Sequence, residues 1–144
     1  MMTKKTAGLL VLACCMILAG CAQRSVYVGG PCEYADVAGK AVITAVGAPD
    51  PDEANCADKP RVVLFDFTPD DKRARNRFPN WGETGQRLTV AGGKNPPLEW
   101  LKANGVRLGA ELICIRREIL KGTCTPVIYD FPALDMTAAA KACR

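Results

Sequence analysis

The chain has 144 residues, about half of them apolar, and a formal net charge of +4. That length fits one domain with a packed core, and the mild charge implies no nucleic-acid partner by itself. There is no histidine, and Ser25 is the only serine, so a Ser-His-Asp triad, a Cys-His pair and every histidine-based metal site are excluded.

In chain order, Lys4 and Lys5 come first, then an apolar run from Ala7 to Ile17, then Leu18-Ala19-Gly20-Cys21. A spanning helix needs roughly 20 apolar residues, so this run is too short to cross a bilayer. A basic start, a short apolar middle and small residues at the end describe an export signal. Leu18-Ala19-Gly20-Cys21 resembles the lipobox of bacterial lipoproteins. The resemblance implies cleavage before Cys21, a diacylglycerol on its sulfur and acylation of the new amino group. Two buried acyl chains already hold a protein stably at a membrane. In a Gram-negative host, Ala22 in place of aspartate implies sorting to the outer membrane, facing the periplasm. Residues 1–20 are then the signal peptide, 21–31 a tether and 32–144 a single small β-rich domain. Ten flexible tether residues span about 18 Å, which keeps the domain near the membrane.

Cys32, Cys56, Cys114, Cys124 and Cys143 remain in an oxidising compartment, where disulfides persist. Five is odd, and the simplest count is two bridges and one free or intermolecular thiol. Cys114 and Cys124 flank an expected turn at Lys121-Gly122 and are first candidates for pairing, although their register needs a loop centred nearer Ile119. Cys32 with Cys56 is the natural second pair. No mature C-x-x-C exists to support a redox site, and the spacings lack the paired short gaps of zinc sites.

The first predicted strand is Lys40 to Val46, rich in β-branched residues. The next, Arg61 to Thr68, alternates Leu64, Asp66 and Thr68 against Val63, Phe65 and Phe67, the pattern of one buried face. Gln86 to Gly92 is a third. A helix follows, with Asn95 as its cap, Pro96 at its first position and Gly105 as its stop. Ala110 to Ile119 and Thr123 to Phe131 are two further strands, the last demoted partly to an edge by Pro126. Asp135 can cap a short terminal helix.

Strand, strand, strand, helix, strand, strand is the order of an OB-fold. The expected fold is therefore mainly β, a small five-stranded OB-like barrel with one short helix between strands 3 and 4. An open α+β sheet is the alternative.

Lys72, Arg73, Arg75 and Arg77 lie within six positions, followed by Phe78 and Trp81. Basic groups beside aromatic faces suit an anionic lipid surface, an acidic protein patch or single-stranded nucleic acid. Little nucleic acid reaches the periplasm, which favours the other two. The bland alternative is a solvated loop whose arginines pair with Asp70 and Asp71. Asp50, Asp52 and Glu53 bring oxygen ligands together without the glycine spacing of a calcium loop, so a polar connection is expected there. Asp66, Glu99 and Asp130 are the carboxylates left for a glycan-active enzyme. By elimination the sequence points to a non-catalytic binding or structural component of the envelope, with no cofactor and no metal. Its expected partners are the membrane, through its anchor, and envelope proteins.

Overall fold

The computed structural model describes residues 31–74, 76–79 and 83–137. Residues from Pro31 onward form one compact unit. Cys21 and the signal segment, Arg75, Trp81 and residues 138–144, with Cys143 and most of the expected terminal helix, lie outside the described residues.

The strands are β1 (Glu33–Val46), β2 (Val63–Pro69), β3 (Gln86–Leu88), β4 (Glu111–Lys121) and β5 (Val127–Asp130), with helix α1 (Leu98–Ala103) between β3 and β4. They form one antiparallel sheet in the order β3-β2-β1-β4-β5, curled into an OB-like half-barrel. The curl is visible in its packing. Phe65 on β2 meets Tyr129 on β5 and Phe131 just beyond it, edge to face, at 5.2 and 5.3 Å. β2 and β5 are separated by two strands in the sheet, so these rings can touch only across an enclosed interior.

The alternation read in β2 holds. Val63, Phe65 and Phe67 are buried, and Leu64, Asp66 and Thr68 are turned away from the core. Their partners on the inner face are Ala41 and Ile43 of β1, Leu88 of β3, and Trp100, Leu101 and Val106 in and after α1. Burying a side chain the size of Phe65 stabilises by about 1.5–3 kcal/mol. Gly39 lies opposite Pro69, at the end of β2. A Cβ there would lie 2.4 Å from the Thr68 carbonyl oxygen and 2.6 Å from the Phe67 ring, so only glycine fits.

Several boundaries differ from the sequence reading. β1 begins seven residues before Lys40, because β4 pairs along its first part from Glu33 onward. β3 stops at Leu88, and a bridge from Val90 to Lys94 closes a turn in which Gly92 and Gly93 take positive φ. Asn95 does not cap the helix. Pro97 occupies the cap position, and the Asn95 side chain is recruited elsewhere. The stop is as expected, with Asn104 at the C-cap and Gly105 at φ +66°. Pro126 precedes β5, which is an edge strand.

The cysteine pairing also differs. Cys32 bonds Cys124 with a Cα–Cα distance of 6.2 Å, and Cys114 is a buried free thiol. Register explains both corrections. Glu33 lies opposite Lys121, which brings Cys32 beside the β4–β5 turn that carries Cys124. Cys114 lies opposite Gly39 at mid-strand on the inner face, far from that turn. Cys56 is disulfide-bonded as well, but not to Cys32.

Candidate anion-binding loop and the buried charges beneath it

The basic segment connects β2 to β3. It leaves β2 where the Asp70 amide donates to the Ala38 carbonyl at 3.0 Å. Asp71 then folds the chain over itself: its Oδ1 accepts the Arg73 amide at 2.8 Å, and its carbonyl accepts the Ala74 amide. Asn76 repeats the device on the Phe78 amide at 2.9 Å. Such side-chain-to-backbone bonds are what Asp and Asn contribute to turns.

Those bonds settle what the arginines do. Asp71 is spent on the turn, and neither it nor Asp70 forms an ion pair with Lys72, Arg73 or Arg77. The three cations are exposed and unpaired among the described residues. Among the described residues, the local pairing of the bland alternative is not found for Lys72, Arg73 or Arg77. Arg75 and Trp81, the other members of the predicted patch, lie outside the described residues.

The returning end of the loop is fixed to the barrel. The Phe67 amide donates to the Glu83 carbonyl at 2.6 Å, and the Gly85 amide to Asp66 Oδ1 at 2.7 Å. The Glu83 carboxylate also accepts from Nη1 of Arg116. Arg116 is fully buried on β4, stacks 5.0 Å from the Phe67 ring centroid, and has Nε 2.9 Å from Oε1 of buried Glu118. That last contact is close enough for strong attraction but not aligned as a hydrogen bond, and Arg116 Nη2 has no acceptor among the described residues. A charge taken out of water persists only when paired, and here one cation is shared by two carboxylates. Tyr129 lies near the same cluster, where burial raises its phenol above the ordinary value.

Sequence reasoning missed this cluster. In Ile113-Cys114-Ile115-Arg116-Arg117-Glu118-Ile119 the isoleucines form the evident apolar face. The sheet buries the other one, leaving Ile113 65% exposed. The signal lay in β1, where Val37, Gly39 and Ala41 alternate with charged or small residues and face Arg116, Cys114 and Leu112.

The acidic residues have separate tasks. Asp50 pairs with Arg87, and the buried Asn95 amide donates to Asp50 at 3.0 Å and Glu53 at 2.6 Å while its oxygen accepts from Arg87. This clasp ties the β1–β2 connection to β3. Arg87 and then Asn95 hold the Asp50 carboxyl below the ordinary carboxylate value. No group of metal-ligating side chains occurs among the described residues. Asp66 on β2 accepts the Gly85 amide, Asp130 is exposed on β5, and Glu99 pairs with Lys102 on α1. Two of the three candidate carboxylates are thus engaged by other groups, Asp66 at the returning end of the loop and Glu99 in a surface ion pair. No family model, curated protein or solved structure matches this chain.

Proposed function

We propose that the chain is a lipid-anchored envelope protein that acts by binding rather than catalysis. In this reading the lipobox ending at Cys21 supplies an acyl anchor at the outer membrane, on its periplasmic side, in a Gram-negative host. The β-rich domain is then a binding or structural component beside that membrane, and envelope proteins are its natural partners. The observation that carries a binding role is the β2–β3 loop, where Lys72, Arg73 and Arg77 are exposed with no carboxylate paired to them among the described residues. Keeping cations unpaired on an anchored turn favours an anionic surface, either lipid headgroups or an acidic protein patch.

The address is tested by mass analysis of the isolated protein. A mature N-terminus at Cys21 carrying acyl chains is expected, and an unmodified or different terminus overturns it. The loop is tested with the Cys21→Ser chain, so that the anchor does not mask weak binding. Each basic side chain near an anionic leaflet contributes about 1 kcal/mol. Changing Lys72, Arg73, Arg75 and Arg77 to glutamine should weaken partition onto phosphatidylglycerol vesicles by about 10²- to 10³-fold. Added salt should have the same direction of effect. Partition indifferent to both would assign the loop to a protein partner, to be identified by crosslinking in the native membrane.

A further inference from the structure

At the other end of β2 from the basic loop, an open cavity of about 350 Å³ lies between α1, the segment leading into β4 and the end of β1. That volume is within the usual range of small-ligand sites, roughly 300–1,000 Å³. Its walls are Val46, Leu98, Leu101, Val106 and Leu108. Leu101 and Val106 belong to the packed core, so the floor is rigid. Val46 and Leu108 are 39% and 68% exposed, and they leave apolar surface open to water at the mouth.

Two cations share that mouth. Lys102 is neutralised by Glu99 at 2.8 Å. Arg107 is exposed and has no hydrogen-bond or ion-pair partner for its guanidinium among the described residues. An apolar trough ending at a single uncompensated guanidinium is complementary to a molecule with an apolar tail and an anionic head. A planar fork of N–H donors matches a carboxylate in particular.

We propose that this groove binds one long-chain carboxylate, its tail along Leu98, Leu101 and Leu108 and its head on Arg107. A free single-chain ligand is favoured over an intact bilayer by position. The chain enters the domain at the Glu33 end of β1, whereas the groove lies at Val46, thirteen residues or about 40 Å further along the strand. The preference for a free ligand rests on the anchor proposed above.

The test uses the full protein in neutral phosphatidylcholine nanodiscs, titrated with dodecanoate carrying ¹³C at the carboxyl, with empty nanodiscs as reference. Saturable one-to-one binding with a shifted carboxyl resonance is expected. Arg107→Gln should weaken it by about 10-fold or more, the worth of a charge-assisted contact. Leu108→Asp should abolish it, and because Leu108 is exposed that variant should keep the unfolding midpoint of the parent. Dodecyltrimethylammonium, with the same tail and opposite head, should not compete. Equal uptake by empty nanodiscs, equal binding of the cationic amphiphile, or indifference to Arg107→Gln would each overturn the proposal. So would recruitment to phosphatidylglycerol vesicles that depends on Leu108 without saturable dodecanoate binding, which would assign the groove to a bilayer.

Discussion

Cys114 shows how position decides a side chain's chemistry. Its neighbours on the inner sheet face leave it no water, and burial, reinforced by the charge of Asp130, pushes its thiol from the ordinary value near 9 up to about 12. Between those values the unfolded chain loses its proton while the folded one keeps it, so stability falls as pH rises through that window. Urea midpoints measured at pH 8, 9, 10 and 11 should decline more steeply for the native protein than for Cys114→Ala. At pH 8 the thiol should ignore a disulfide reagent until denaturant is added, because only a thiolate attacks. Arg116 is the opposite case, a charge kept inside because carboxylates flank it. Arg116→Ala strands Glu118 and should cost about 3–5 kcal/mol in urea unfolding. The double change Arg116→Met with Glu118→Leu removes both charges and should recover most of that loss. A double variant as unstable as the single one would mean that shape, not charge, holds the site.

Among the elements, β1 organises the rest, pairing with β4 from Glu33 to Val42 and with β2 from Gly39 to Val46. Its free end is secured by the Cys32–Cys124 bond, which closes a loop of 92 residues in sequence. In the chain-entropy account such a closure stabilises by about 4–5 kcal/mol. The bond depends on Gly122, which has φ +102° and lies so near Cys32 that a Cβ would come 2.6 Å from its Sγ. Gly122→Ala should therefore mimic the loss of the disulfide. Free-thiol counts under native conditions should rise, and the unfolding midpoint should fall towards that of Cys32→Ser. The sequence showed a turn near Lys121-Gly122, but not the pairing. Which cysteine meets that turn depends on β1 extending back to Glu33, and Glu33 to Gly39 carries too little β-branched content to announce a strand. Helix α1 was legible through Gly105 and opaque at its start. Asn95 is a competent cap in isolation, yet the clasp to Asp50, Glu53 and Arg87 holds its amide away from the helix.

At the scale of the whole molecule, element order was enough to reach an OB-like barrel. Alternation in β2 located the inner face, and punctuation by Gly and Pro located most boundaries. The candidate site was legible only as composition. Clustered basic residues could be counted, but whether Asp70 and Asp71 neutralised them depended on turn bonds that the sequence does not reveal. The buried charges of β4 ran against the hydropathy pattern and could be found only through register. The curl of the half-barrel is likewise a tertiary fact. β3 and β5 are short edges of three and four residues with no strand between them. Aromatic side chains link β2 to β5 across the interior instead, through Phe65, Tyr129 and Phe131. Phe131 is 3% exposed, and its truncation to alanine should cost about 3–5 kcal/mol. The loss should also be uneven. Amides of β5 are held to the sheet only by β4, so they should lose hydrogen-exchange protection well before those shared by β1 and β2. If Phe131→Ala lowered protection equally in β5 and β1, the sheet would be opening as one cooperative unit, and the aromatic bridge would have no local role in keeping the barrel curled.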